Sequence, residues 1–216
     1  MKDIVICGAG GFGREVAWLI ENINSVKKEW NLMGFVDNTP GLSGKVINGY
    51  SVLGDEGWFS GIDNPIYTVC AVGSSTGKKS WTDRLSQNRN ITFATLIDPS
   101  AKISNLVDIG VGTVICAGVI ATVNIKIGDH VIINLDCTVG HDAVIDNYCT
   151  INPSVNISGN VHIKTMTEIG TGSNIIEKTN VGMHTVIGAG SVVTKDIPDF
   201  CTAVGIPAKP IKFHSV

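Results

Sequence analysis

Three kinds of signal are missing from this 216-residue sequence, and each absence narrows the range of functions. Lys plus Arg number 16 and Asp plus Glu number 19, so there is no basic excess that would favour nucleic acid or an anionic membrane as a partner. No apolar run is long enough to span a membrane. The chain starts with a short apolar segment followed by glycines, which is unlike a signal peptide. We therefore expect a soluble cytoplasmic protein with no nucleic-acid or membrane partner.

Disulfide and metal patterns are missing as well. The six cysteines have no CxxC spacing, and Cys137 and Cys149 fall at small inward positions of the repeat described next, which predicts buried thiols. A three-histidine zinc site needs two histidines a few residues apart, whereas no two of the five histidines are closer than eleven residues. We predict no metal cofactor.

What the sequence does contain is a six-residue repeat. Every sixth residue from Ile97 to Val193 is Ile or Val, except for Ala121. The residue four places later is usually small, and the second place of each unit is often Gly, Asn or Asp, which favour turns. One large and one small inward side chain per unit predict a short parallel strand and a bend, with three strands to a coil. Residues 97–216 are therefore expected to form a β-helix domain.

Residues 1–96 show the alternating pattern of a small α/β domain. The apolar run Ile4 to Cys7 predicts a buried parallel strand, and residues 8–13 follow it with GxGxxG spacing before an amphipathic helix. A second predicted strand ends at Asp37, where an acid that binds a ribose is expected, and a third is closed by Gly73. The carboxyl edge of this sheet is thus a candidate phosphate or nucleotide site, formed by Gly10, Gly11, Asp37 and Gly73. Alternatively, the glycines serve only a tight turn and close helix packing.

His141 is the candidate catalytic residue. It follows Gly140, and Asp142 beside it could orient one imidazole nitrogen and raise its basicity. Because one coil is eighteen residues, Gly159 should stack on His141 at the ordinary strand spacing of about 4.8 Å. This stacking leaves room for an acyl group and an N–H for its carbonyl oxygen. Asn134 lies at a turn and could help to hold a substrate; the alternative is that His141 is an ordinary turn residue.

Several motifs together resemble a known family. They are the hexapeptide repeat, Gly140-His141-Asp142, the segment 158–161, the closing segment 204–209 and the N-terminal glycine loop with Asp37. In this combination the sequence resembles the bacterial sugar acyltransferases of the sialic-acid O-acetyltransferase and UDP-amino-sugar N-acetyltransferase group. The resemblance spans nearly the whole chain. It implies a Rossmann-like domain, a left-handed β-helix, a homotrimer, and acetyl-CoA bound between neighbouring prisms.

The resemblance also implies roles for individual residues. His141 would be the general base and Asp142 the acid that increases its basicity. The acceptor would be bound by Gly10, Gly11, Phe12, Asp37, Asn38, Gly73 and Asn134, and acetyl-CoA by Thr150, Gly159, Thr171 and Ala189. Three positions depart from the UDP-amino-sugar enzymes, which have histidine, a second acid and histidine where this chain has Phe12, Asn38 and Thr150. Phe12 and Asn38 therefore leave the identity of the nucleotide undetermined, and Thr150 leaves the contacts with acetyl-CoA undetermined.

Three functions remain at this point. The leading one is acetyl transfer from acetyl-CoA to a nucleotide-linked amino sugar, in a step that serves polysaccharide biosynthesis. The second is O-acetylation of sialic acid or another small hydroxyl acceptor. The third is a non-catalytic module that binds a nucleotide sugar, for which a β-helix is only a scaffold.

Overall fold

The computed structural model describes residues 1–214, and its first part is an α/β layer built on the buried run Ile4 to Cys7. The elements are β1 (Lys2–Cys7), α1 (Gly11–Val26), β2 (Trp30–Val36), β3 (Val46–Ile47), β4 (Tyr50–Gly54), a 3-10 helix (Glu56–Gly61), β5 (Ile66–Cys70), α2 (Ser75–Leu85) and β6 (Ile91–Phe93). The sheet order is β3-β4-β2-β1-β5-β6, and all neighbours are parallel except the hairpin β3–β4. The strand–helix–strand alternation predicted from the sequence therefore forms a mainly parallel sheet. Gly8, Asp37 and Ala71, which follow β1, β2 and β5, lie at its carboxyl edge.

The hexapeptide repeat forms a three-sided prism. Face 1 contains β7 (Leu96–Ile97), β10 (Val114–Ile115), β13 (Ile132–Ile133), β16 (Thr150–Ile151), β19 (Glu168–Ile169), β22 (Val186–Ile187), β24 (Cys201–Val204) and β25 (Lys209–Phe213). Face 2 contains β8 (Lys102–Ile103), β11 (Ile120–Ala121), β14 (Thr138–Val139), β17 (Asn156–Ile157), β20 (Asn174–Ile175) and β23 (Val192–Val193). Face 3 contains β9 (Val107–Ile109), β12 (Ile125–Ile127), β15 (Val144–Ile145), β18 (His162–Ile163) and β21 (Asn180–Val181). The predicted fold class, a Rossmann-like domain followed by a left-handed β-helix, is confirmed.

The bends between the faces define three corners. The first corner joins face 1 to face 2, the second joins face 2 to face 3, and the third joins face 3 to face 1. Strand partners are eighteen residues apart, as in the pairing of Val139 with Ile157. Residues in the left-handed region turn the chain at these corners; Asp142 has φ 59° and Asn160 has φ 57°. Asp and Asn are among the residue types that tolerate this conformation best.

The large side chain of each unit points into the prism and stacks on the equivalent residue of the next coil. From Ile115 to Val193 the sixfold positions are at most 4% exposed, and together they form one continuous core. Ile97 is an exception, because it lies in the first strand of face 1 and is 37% exposed. The inward stack is therefore incomplete in the first coil, where Ile103 and Ile109 are also only partly buried.

The α/β layer covers the outer surface of the first coils on face 1. Val16 and Ile20 of α1 share a hydrophobic cluster with Leu96 and Val114. The sheet of the α/β layer ends at Phe93 and the β-helix begins with Leu96, whereas we placed the boundary after residue 96. The division of the chain into two domains at that point stays a prediction.

The repeat predicts that the flat faces of the prism expose apolar residues such as Ile125, Ile132, Val144 and Ile176, and this prediction is wrong in part. Ile125 and Ile132 are 1% and 2% exposed. Ile125 is at the second inward position of its unit, and Ile132 is on face 1 between Val114 and Thr150, the part of the prism that the α/β layer covers. Val144 is partly buried, and Ile176 is 41% exposed.

No helix within residues 1–214 has both the length and the apolar character needed to cross a lipid bilayer.

Candidate active site

The second corner carries the predicted catalytic pair. His141 is the second residue after β14, and its Nδ1 lies 2.8 Å from Oδ2 of Asp142. Both side chains are about half exposed, at 57% and 45%. The hydrogen bond with the His141 imidazole lowers the pKa of the Asp142 carboxyl, so this group is ionised at neutral pH. An ionised carboxylate accepts a hydrogen bond from the Nδ1–H group, which leaves the lone pair of a neutral imidazole on Nε2.

Gly159 lies directly against the His141 ring, as the eighteen-residue repeat predicts. A Cβ added to Gly159 would be 2.5 Å from both Cε1 and Nε2 of His141. The coils are joined here by a hydrogen bond from the Asn160 N–H to the His141 carbonyl, at 2.8 Å. Within residues 1–214 the Gly159 N–H donates to no protein acceptor. This amide is therefore available to a ligand beside the imidazole.

Asn124 is a member of this corner that we did not predict. Its Nδ2 donates to Oδ1 of Asp142 at 3.3 Å, while Oδ2 is occupied by His141. Asn124 is eighteen residues before Asp142, so the repeat that located Gly159 could have located it too. Both oxygens of the Asp142 carboxylate are thus hydrogen-bonded, which restricts its rotation relative to the imidazole.

Asn134, Thr171 and Ala189 lie at the first corner, on the opposite edge of face 2 from His141. Thr171 and Ala189 are exposed, and the Gly190 N–H donates to the Thr171 carbonyl at 2.8 Å, so these two positions stack as predicted. Asn134 is 8% exposed, and its Oδ1 accepts from the Leu135 N–H at 2.8 Å. Within one chain the structure therefore does not bring these three residues together with His141. Their roles stay predictions.

Thr150 is on the outer side of face 1, beneath the α/β layer. It is 4% exposed, and its hydroxyl donates to the Gly73 carbonyl at 3.0 Å while it accepts from Lys78 Nζ at 3.1 Å. A hydroxyl has only one proton to donate, and here that proton is used. The predicted contact of Thr150 with acetyl-CoA therefore has no support from its hydrogen bonds and stays a prediction.

The candidate nucleotide site is at the carboxyl edge of the α/β sheet. A pocket of about 450 Å³ is lined by Gly8, Asp37, Asn38, Thr39, Pro40, Val72 and Trp81. The Asp37 carboxylate accepts from the N–H groups of Ala9 at 2.7 Å and Thr39 at 2.8 Å. These amide bonds outweigh partial burial and lower the pKa of Asp37. The carboxylate is thus fixed and ionised at the rim of the pocket.

The first turn of α1 offers uncapped amides to this site. Gly10 is the N-cap, no side chain caps the helix, and no acidic residue is in its first turn. Gly11 is exposed and Phe12 is partly buried against the core. A Cβ on Gly13 would be 2.0 Å from the Gly8 carbonyl oxygen, so the glycine motif does serve close helix packing. The open amides and the helix dipole also suit a phosphate.

Asn38 and Gly73 complete the predicted acceptor residues. Asn38 is bonded to Glu56 through both ends of its amide: it donates to the Glu56 carboxylate at 3.3 Å and accepts from the Glu56 N–H at 2.8 Å. Gly73 is exposed in the loop between β5 and α2, and its carbonyl is the acceptor for Thr150. The residues Thr39, Pro40, Val72 and Trp81 of the pocket carried no sequence motif that could have identified them.

The thiols and possible metal ligands add nothing to this site. All six cysteines are buried and unpaired, which confirms the prediction of buried thiols for Cys137 and Cys149. No cluster of three His, Cys, Asp or Glu side chains suited to a metal ion occurs in residues 1–214.

Comparisons with known proteins match both parts of this architecture. Residues 3–85 match the family described as the PglD N-terminal domain. The acetyltransferase domain of PglB from Neisseria gonorrhoeae is 31% identical, with a TM-score of 0.88 over 98% of this chain and 100% of that chain. A histidine-to-asparagine variant of perosamine N-acetyltransferase from Caulobacter crescentus, in complex with CoA and GDP-perosamine, is 27% identical, with a TM-score of 0.87 over 98% of each chain.

A curated relative matches by sequence over a shorter stretch. The acyl-[acyl-carrier-protein]–UDP-N-acetylglucosamine O-acyltransferase of Pseudomonas aeruginosa is 32% identical over 83 residues. The matched stretch is 38% of this chain and spans about a third, 32%, of that enzyme. Full-length similarity to the PglB domain, together with the glycine loop and the hexapeptide prism, shows that this chain belongs to the hexapeptide-repeat sugar acyltransferases.

Proposed function

We propose that this protein transfers the acetyl group of acetyl-CoA to the amino group of a nucleotide-linked sugar. The observation that carries the proposal is the second corner, where an imidazole paired with Asp142 lies against Gly159, whose N–H donates to no protein acceptor within residues 1–214. Full-length similarity to the perosamine enzyme with CoA and GDP-perosamine supports the choice of co-substrate and acceptor class. The fixed Asp37 carboxylate could bind a ribose hydroxyl, and the uncapped amides at the start of α1 could bind a phosphate.

In the proposed reaction the acceptor nitrogen attacks the thioester carbonyl carbon directly. As the C–N bond forms, Nε2 of His141 takes a proton from the nitrogen, and the Asp142 carboxylate stabilises the imidazolium. The carbonyl electron pair moves to oxygen, where the Gly159 N–H donates to the developing negative charge. The oxyanion pair then re-forms the carbonyl as the C–S bond breaks, the C–S electron pair leaves with sulfur, and His141 returns the proton to the thiolate. No covalent enzyme intermediate and no metal take part.

We further propose a homotrimer in which face 2 of each chain meets its neighbours. His141 is at one edge of face 2 and Thr171 and Ala189 are at the other, so two chains must meet for these residues to share one groove. Ile120 and Ile176 on and beside this face are 42% and 41% exposed, which is apolar area that a neighbouring copy could cover. In cyclic symmetry, one edge of each chain meets the opposite edge of the next chain.

The nucleotide in the acceptor is best identified by binding. Thermal shifts of the purified protein are measured with acetyl-CoA and with UDP-, GDP- and dTDP-linked amino sugars, and each stabilising pair is then assayed for release of the CoA thiol. We expect one nucleotide series to stabilise the protein and to support turnover only when the sugar carries an amine. Binding without thiol release would contradict an enzymatic function, and turnover of hydroxyl sugars alone would contradict N-acetylation.

A cytoplasmic location is part of the proposal. Six unpaired thiols are typical of a protein in a reducing compartment, where disulfides do not persist.

A further inference from the structure

Lys78 is a buried ammonium group that the proposed reaction does not use. It is on α2, is 1% exposed, and its Nζ donates to the Cys149 carbonyl at 3.0 Å and to the Thr150 hydroxyl at 3.1 Å. No carboxylate lies within 4 Å of it in the described part of the chain. A buried charge without an ion partner is costly, and an apolar side chain of the same length would fill this volume without that cost.

The bonds of Lys78 belong to a longer chain of contacts between the α/β layer and face 1. Thr150 accepts from Lys78 and donates onward to the Gly73 carbonyl at 3.0 Å. Two residues after Gly73, the Ser75 N–H donates to the Glu168 carboxylate at 2.8 Å. The loop of residues 71–74 is therefore bonded to the prism at Gly73 and just beyond its end, and Lys78 holds the shared hydroxyl.

This loop also forms one wall of the candidate nucleotide pocket. Val72 lines the pocket together with Gly8 and Asp37, and the Ala71 N–H is bonded to the Cys7 carbonyl at the end of β1. These bonds between the α/β layer and face 1, called the clamp below, fix the position of the pocket wall relative to the prism. Thr150 lies on the stretch of chain that runs from His141 to Gly159. A shift of this wall would displace a bound nucleotide relative to the acetyl-transfer groups.

We infer that Lys78 is a positioning residue for the acceptor: through Thr150 it holds the loop of residues 71–74 at the distance from the prism that a bound nucleotide requires. The inference rests on the proposed function for the identity of the acceptor. Lys78 itself touches no substrate in this arrangement. What its ammonium contributes is directional bonding, which a methionine of similar length cannot supply.

The test compares Lys78→Met with Lys79→Met. Lys79 is the next residue on α2, but it is exposed and paired with Asp83, so its loss leaves the clamp intact. Amide hydrogen exchange is measured over residues 71–77, and the affinities for UDP, GDP, dTDP and acetyl-CoA are measured by calorimetry. For Lys78→Met we expect faster exchange and weaker nucleotide affinity, on the order of tenfold or more, since small misplacements have large effects. The acetyl-CoA affinity should equal that of wild type, and Lys79→Met should match wild type throughout.

Unchanged exchange, or faster exchange with unchanged nucleotide affinity, would overturn the inference. If Lys78→Met lost as much affinity for acetyl-CoA as for the nucleotide, the substitution would have damaged the whole fold, and the inference would be overturned too. A wild-type chain that binds none of the three nucleotides contradicts the proposed acceptor class, and the inference then falls with it. Thr150→Val removes the shared hydroxyl without touching α2, so it provides the same test if Lys78→Met does not fold. If the two residues act as one unit, the double variant should bind nucleotide no more weakly than Lys78→Met alone.

Discussion

The imidazole of His141 covers the Cα of Gly159 so closely that a methyl group there would be 2.5 Å from two ring atoms. The two residues are eighteen positions apart in sequence and one coil apart in space. The spacing leaves room only for a glycine beside the ring, and the Gly159 N–H donates to no protein acceptor within residues 1–214.

Gly159→Ala should therefore disable transfer while it preserves the fold. Gly159 does not have a positive φ, so the backbone accepts alanine, and the added methyl group must displace the exposed His141 side chain. We expect kcat to fall on the order of 10²-fold, because both the base and the oxyanion donor lose their geometry. The measurement is steady-state acetyl transfer alongside thermal unfolding. Gly61→Ala is the matched control, since a Cβ there meets nothing within 4 Å; equal activity in both variants would contradict the predicted role of this gap.

Asp142→Asn should lower kcat about tenfold or more, but less than His141→Ala, which should lose at least about 10²-fold. Asparagine tolerates the left-handed φ of 59° at this position, so the corner keeps its shape and only the carboxylate is lost. In the proposed reaction a carboxylate stabilises the imidazolium, and an amide cannot do so. Rates of CoA thiol release measure the loss. Wild-type rates for Asp142→Asn would exclude a role for the pair.

Mixed trimers should recover activity that neither parent has. His141→Ala removes the proposed base at the second corner, and Ala189→Trp should block the proposed groove at the exposed first corner. If one chain supplies each corner, trimers formed by coexpression at equal amounts should regain about one quarter of wild-type activity, because one interface in four combines two intact corners. Coexpression of His141→Ala with Asp142→Asn is the control, since both changes are at the same corner. No recovery in the first mixture would exclude a shared site.

The free energy of unfolding should increase at alkaline pH because of Lys78. Burial lowers the pKa of Lys78 from 10.5 to about 8, and Cys149, Cys70 and Glu168 oppose that shift. Between about pH 8 and pH 10.5 Lys78 is protonated in the unfolded chain but not in the folded chain. The destabilisation that the buried ammonium causes below about pH 8 is therefore lost as pH rises through this range. At 1.36 kcal/mol per pKa unit, the gain in unfolding free energy relative to Lys78→Met is at most about 3 kcal/mol.

Urea unfolding of both proteins from about pH 7.5 to about pH 10 measures this difference. Buried thiols act in the opposite direction, since burial raises the pKa of Cys116 and Cys149 to about 12, but both proteins contain them. A difference between the proteins that does not change with pH would show that the ammonium is not desolvated in the fold.

The sequence was most informative wherever a contact follows the repeat. The six-residue period predicted the faces of the prism, and its eighteen-residue multiple predicted that Gly159 stacks on His141. The exposure of Ile132 could not be predicted in this way, because the α/β layer that covers it is a non-repeating neighbour. The bond between Lys78 and Thr150 joins residues 72 positions apart with no periodic relation. Such a contact depends on how the α/β layer packs on the prism. Neither the strand–helix alternation of the first nor the hexapeptide repeat of the second contains that information.

The antiparallel pairing of β25 with β24 has a consequence for self-association. A prism made of parallel strands ends in unpaired N–H and C=O groups, which could recruit a strand from another molecule and begin a fibre. Here the last parallel strand of face 1 is closed by β25, and β25 itself contains Lys209, Pro210 and Lys212. Two positive charges and a residue without an N–H are poor templates for a further strand. On face 1, β25 therefore stops the ladder that the parallel strands would otherwise continue from one molecule to the next.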